Sequence, residues 1–232
     1  MKKILKISMV IVSLLGFSVT YSKAFVMDVW ELKGADPATV SEATLAFKEK
    51  AMAGGAKYTA FRSSTKIRGD DVLDTVFVHA YYENFEDQMA TQALIGQNPD
   101  WFASTFGDMD FSDVDNTTFA NDEPTGEAAA GQTVAYAFVE VTSGINFVLN
   151  FPQMQQMMRD AGAPVQVSAM TCALCGENVL PTNGMVYFSS ANPTDMGKGL
   201  DIFSSPEMQR WVFANINPHG NITDAGVIVF NN

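Results

Sequence analysis

Positive charge, histidine and cysteine are all scarce in this chain of 232 residues. Fourteen Lys and Arg stand against 26 Asp and Glu, a net charge of −12. That balance argues against nucleic acid and anionic membrane surfaces as partners, because both are gripped by clustered cations. A phosphate-binding glycine loop, a nucleophile elbow and a His-Glu-x-x-His helix are all missing, and with them the chemistry each would carry. No metal site and no cofactor is expected. After residue 24 no segment reaches the roughly 18 apolar residues of a membrane span. What remains is 47% hydrophobic and 17% charged, enough apolar material for a buried core and too much for wholesale disorder. The length suits one large domain or two of about 100 residues each.

Residues 1–24 read as a secretory signal peptide. Lys2, Lys3 and Lys6 form a basic start, Ile7 to Val19 is a mostly apolar stretch, and Ser22-Lys23-Ala24 offers small residues where a signal peptidase cuts. Cleavage would remove Lys2, Lys3, Lys6 and Lys23 and take the charge from −12 to −16. The expectation is a soluble exported protein, periplasmic or extracellular, with no membrane contact after cleavage.

The remainder is written twice. Residues 120–132 (ANDEPTGEAAAGQ) are small, acidic and turn-forming, and read as a linker between a first repeat at 25–119 and a second at 133–232. Glu31 matches Glu140, Gly55-Ala56 matches Gly162-Ala163, and Asn84 with Asp87 matches Asn192 with Asp195. Pro99 and Phe106 match Pro206 and Phe213, and Phe119 matches Phe230. The offset stays between 107 and 111 residues throughout, and its changes fall between predicted elements. Each copy reads strand, helix, strand, strand, helix, strand. In copy one, Asp36-Pro37 starts a helix that Gly54-Gly55 ends, and Arg68-Gly69-Asp70-Asp71 is a hairpin turn rather than an adhesion motif. In copy two, Pro152 is expected in the first turn of its helix or at a kink.

That order is the ferredoxin-like βαββαβ unit, so the fold class is α+β. Two such units in one chain resemble the dimeric α/β-barrel superfamily, here as a tandem pseudo-dimeric α/β barrel. The resemblance covers roughly Phe25 to Asn232. It implies two four-stranded sheets facing one another with helices outside.

Strand alternation then sorts the side chains into two faces. Val26, Asp28, Trp30 and Leu32 share a face, matched by Ala135, Ala137, Val139 and Val141, and should lie under the helices. Glu31, His79, Tyr81, Tyr136, Glu140 and Tyr187 fall on the other face and would meet between the sheets. A carboxylate beside a histidine can fix its tautomer and raise its pKa, as general acid-base work requires, so His79 and Glu31 are the catalytic candidates. Tyr81, Tyr136, Glu140 and Tyr187 are the candidate ligand-binding residues, aromatic bodies with a few polar heads.

Cys172-Ala173-Leu174-Cys175 holds all the cysteine. An exported pair favours a local disulfide between Cys172 and Cys175, with free or metal-bound thiols and a redox centre as alternatives. Zinc would need His79 and His219 as further ligands. The leading expectation is an exported protein that binds a small molecule between the two sheets. Members of the resembled superfamily include cofactor-independent monooxygenases and haem-binding enzymes, which implies an enzyme as one alternative. A structural or interaction module without a ligand is the other.

Overall fold

The computed structural model describes residues 25–69, 72, 75–107, 109, 114–121, 129–174 and 184–231. Its N-terminal half runs β1 (Phe25–Lys33), α1 (Pro37–Ala53), β2 (Ala60–Gly69), β3 (Thr75–Tyr82), α2 (Phe85–Gln97), α3 (Pro99–Phe106) and β4 (Val114–Asn121). The C-terminal half runs β5 (Thr133–Val141), α4 (Gly144–Asp160), β6 (Gln166–Leu174), β7 (Gly184–Ser190), α5 (Pro193–Phe203), α6 (Pro206–Asn215), a 3-10 turn (Asn217–His219) and β8 (Gly220–Phe230). The signal peptide, Asp70 and Asp71 of the hairpin turn, and most of the linker lie outside the described residues. So do Cys175 and the side chain of Cys172, and with them the expected disulfide.

Local signals place the helices. The Asp36 carboxylate accepts the Thr39 amide at 2.8 Å, and Pro37 occupies the first turn of α1, where its missing N–H costs nothing. Asn84 caps α2 by accepting the Asp87 amide at 2.9 Å, and Asn192 caps α5 by accepting the Asp195 amide at 2.9 Å. Both asparagines also donate to the same aspartate's carboxylate, at 3.1 and 3.0 Å. Helix α4 begins at Gly144 and runs through Pro152, so of the two places expected for this proline the first turn is excluded and it stands in the helix interior.

Every strand pair is antiparallel, and the eight strands close into a barrel in the order β1-β3-β2-β8-β5-β7-β6-β4. Within it, β4-β1-β3-β2 belongs to the N-terminal half and β8-β5-β7-β6 to the C-terminal half. Edge pairing of β2 with β8 and of β4 with β6 joins them. Alternation then divides the core into three parts. Met27, Val29, Phe77, Tyr81, Tyr136, Met185, Tyr187 and Phe230 pack inside the barrel. Val26, Leu32, Val76, Val78 and Tyr82 pack outward beneath α1 and α3 with Phe47 and Phe106. Val139, Val167, Phe188 and Val227 pack outward with Met154, Met158, Met196 and Met208 of the other helices.

The β2–β8 seam brings backbones close together. A bulge between Lys66 and Arg68 shifts the register, and Gly69 sits at φ +114, with the Ala225 carbonyl 2.6 Å from where its Cβ would be. A Cβ on Gly226 would lie 2.9 Å from both Lys66 Cε and the Tyr136 hydroxyl. Gly226→Ala should therefore cost about 1–3 kcal/mol in urea unfolding. Gly197→Ala, in α5 with no atom within 4 Å of the new methyl, should gain about 0.5–1 kcal/mol. Equal effects would show that the seam is looser than its geometry.

Candidate functional site

Inside the barrel the structure gathers four of the expected residues. His79, Tyr81, Tyr136 and Tyr187 are 5%, 9%, 6% and 7% exposed. The His79 ring lies 5.0 Å from that of Phe230 and stacks on Tyr81 at 6.1 Å, while Phe77 meets Tyr136 edge-on at 5.9 Å. Glu31 is half-buried on the same inner face, opposite Phe77. Its charge, with that of Asp224 and above all the loss of water, pushes the Tyr136 phenol pKa well up.

Glu140 does not join them. A bulge between Phe138 and Val139 precedes it, and it pairs with Asn221 at the end of β5, where it is exposed. The expected carboxylate–histidine couple is also replaced. His79 Nε2 lies 2.8 Å from Ser64 Oγ, and burial lowers its pKa to about 3 instead of raising it. His79 is a neutral imidazole at physiological pH, and a weak base.

The described cavities lie on the other side of the sheets, beneath the helices. In the N-terminal half a cavity of about 420 Å³ is lined by aromatic and aliphatic groups including Trp30, Phe61, Phe102 and Phe106, with Tyr58, Tyr82 and Gln92 as its polar wall. Behind that wall is Asp28, fully buried. Its Oδ1 accepts from Gln88 Nε2 and from Thr118 Oγ1, each at 2.6 Å, and its Oδ2 accepts from Gln92 Nε2 at 3.0 Å. The Tyr82 phenol also donates to this carboxylate and is bonded to the Tyr58 hydroxyl. Burial nevertheless wins over these donors and raises the Asp28 pKa above its ordinary value. The result is an apolar cavity with a hydrogen-bonded, buried carboxyl behind one wall.

The C-terminal half has a cavity of about 510 Å³ in the corresponding place, lined by Ala137, Met154, Phe188, Leu200, Phe203 and Val212 among others. By the sequence correspondence, Asp28, Gln88, Gln92 and Thr118 are replaced there by Ala137, Met196, Leu200 and Val229. The C-terminal cavity takes its polar groups elsewhere, from Arg68, Asp201, Ser204 and Asn217, and the positions that correspond to the Asp28 network are apolar there.

No protein-family model and no curated protein matches the chain. Solved structures do match. A proposed monooxygenase from Fusobacterium nucleatum subsp. nucleatum superposes with a TM-score of 0.59 at 10% identity, over 90% of this chain and 94% of its own. One from Lactobacillus acidophilus gives 0.56 at 11% identity over 90% and 95%. An anthrone oxidase-like protein gives 0.51 at 13% identity over 89% and 92%. The chain shares their fold. At such identities the likeness speaks for backbone arrangement, and it agrees with the dimeric α/β-barrel resemblance of the element order.

Sequence reasoning placed Asp28 on the helix-covered face without weighing it. A lone acid among Val26, Trp30 and Leu32 was the available signal, since a buried carboxylate needs partners. It also passed over Arg62, Ser64 and Lys66, a polar row of period two in β2 that the register puts on the inner face beside His79 and Phe77. Haem-type chemistry does not fit the described cavities. The two histidines are His79, bonded to Ser64 inside the barrel, and His219, in the 3-10 turn, and neither lines either of these two cavities.

The buried imidazole has a consequence for acid stability. Unfolded chain takes up a proton near pH 6.5 that folded chain refuses until about pH 3, so stability falls as pH drops through that window. The slope is at most about 1.4 kcal/mol per pH unit for this group. His79→Gln should flatten it in urea titrations between pH 6.5 and 4. An unchanged slope would mean that His79 is solvated.

Proposed function

We propose that this protein binds a planar, largely apolar small molecule carrying a phenolic or carbonyl oxygen, and that the ligand lies in the N-terminal cavity. The observation that carries this reading is the combination of about 420 Å³ of aromatic-walled space with Gln92 and Tyr82 at its wall and the buried Asp28 behind them. Volumes of about 300–1,000 Å³ with few convergent polar groups are typical of small-molecule sites. The chamber between the sheets was the expected location, but its inward rings pack on one another, which favours the cavity beneath the helices for a planar molecule of several rings.

A second reading, oxygenation of the bound molecule, has support of its own. The fold is shared with proposed monooxygenases and an anthrone oxidase-like protein. A carboxyl group with a raised pKa, linked through Gln92 and Tyr82 to the cavity wall, is suited to receive a proton from a phenol-type ligand.

The equivalent strand orders of the two halves and the matching Asn84 and Asn192 caps support reading the chain as a tandem duplication of one βαββαβ unit. The basic and apolar start of the sequence supports export.

Anthrone, a planar tricyclic ketone, is a suitable probe. It should quench the fluorescence of Trp30 or Trp101 saturably, and Phe102→Ala should weaken binding about two- to tenfold, the worth of one aromatic contact. Absence of saturable quenching would remove the binding reading. Oxygen uptake on adding anthrone, lost in Asp28→Asn with binding kept, would establish the enzyme. Binding without uptake in the native protein would leave a binding protein only.

The Asp28 carboxyl also sets a pH dependence. Its raised pKa means that the folded state holds the proton more tightly than the unfolded chain. Its contribution is therefore fully present below the ordinary aspartate value, near pH 3.8, and is lost as pH rises through the raised value. Asp28→Asn should remove that part of the loss, measured as urea midpoints from pH 4 to 8.

A further inference from the structure

The inner face of β2 presents an uncompensated cation in a strongly acidic protein. Arg62 is half-buried and lies directly across from His79 in the β2–β3 register. Among the described residues no carboxylate pairs with its guanidinium, and its Nε–H is buried without a hydrogen-bond partner. The neighbouring inward cation, Lys66, is already answered by Asp224, 3.8 Å away. Arg62 therefore has no paired carboxylate among the described residues.

His79 adds a second buried donor at the same place. Ser64 is fully buried, and its hydroxyl is satisfied by donating to Nε2 across 2.8 Å. The reverse arrangement would strand both the serine proton and a lone pair on Nδ1. With Nε2 accepting, the ring proton sits on Nδ1, and that atom has no partner either. Two buried N–H groups thus stand on directly opposed residues, whose Cβ atoms are about 4.5–5.5 Å apart, and neither has an acceptor among the described residues. Buried orphan donors of this kind are costly, by about 1–3 kcal/mol each, unless a ligand or water takes them.

We infer that the barrel interior holds a second binding site, in which the carboxylate of a small monoanionic acid accepts from Arg62 and His79. Planar carboxylate matches the guanidinium fork, and a single charge keeps the desolvation cost below that of a phosphate dianion in so dry a place. Tyr81, whose phenol pKa burial pushes up against the smaller opposing effect of the Arg62 charge, stacks on the His79 ring at 6.1 Å. This site is independent of the cavity beneath the helices, whose walls contain neither residue.

The test uses the full chain labelled with nitrogen-15, with the imidazole nitrogens of His79 followed by NMR. Sodium acetate is the probe, against sodium chloride at the same ionic strength. Saturable acetate-dependent movement of the His79 Nδ1 signal is the expected result, with at least about tenfold weaker binding in Arg62→Gln. Acetamide, the neutral isostere, should leave the signal where it is, and this control does not depend on any variant folding. No movement with acetate, the same movement with acetamide, or undiminished binding in a folded Arg62→Gln would each overturn the site. Inorganic phosphate binding as tightly as acetate would overturn its assignment to a carboxylate.

Discussion

Pairing of the outer strands of one half with those of the other is what the rest of the molecule depends on. A four-stranded sheet on its own exposes two rows of unpaired backbone N–H and C=O groups. Here β2 finds β8 and β4 finds β6, so the sheet has no free edge. Closure also decides what each side chain meets. Along every strand, successive residues turn alternately to a shared interior and to a layer covered by helices. The glycines at the β2–β8 seam let the backbones approach where the bulge at Lys66 would otherwise hold them apart.

Closure explains why the interior behaves as a core. Rings from four strands converge on the axis, and water is excluded from His79, Tyr81 and Tyr187 alike. An imidazole in that setting loses its proton, and a phenol keeps its own. The polar row of β2, Arg62, Ser64 and Lys66, comes from a strand at the junction of the halves.

The two outer layers have similar plans and differ in where their polar groups lie. Both place a helix-covered cavity over the middle of a four-stranded sheet. One holds a buried carboxyl with four hydrogen-bond partners, and the corresponding positions of the other are Ala137, Met196, Leu200 and Val229. A buried Asp is tolerated only because Gln88, Gln92, Thr118 and Tyr82 converge on it, and its raised pKa shows that burial still dominates. Such a group is expensive as architecture and useful as chemistry, which makes the N-terminal cavity the one to read for function.

Much of this was legible in the chain itself. The order of elements, the helix start at Asp36, and the two faces of β1, β3, β5 and β7 all follow from local patterns: capping residues and a period of two. These signals depend only on neighbours within a few positions. What they could not supply is the partner of each inward or buried group. Glu140 has the alternation of an interior residue, but the bulge and the end of β5 leave it in water. His79 is interior as its pattern says, yet its bonded neighbour is Ser64 of another strand, and not Glu31. Asp28 and Gln88 are 60 positions apart and meet only because α2 packs across the sheet. Sequence determined the elements and their faces, because backbone geometry is local. The tertiary structure alone decided which polar groups touch, because hydrogen bonds and desolvation depend on distances that only the closed barrel and its helices set.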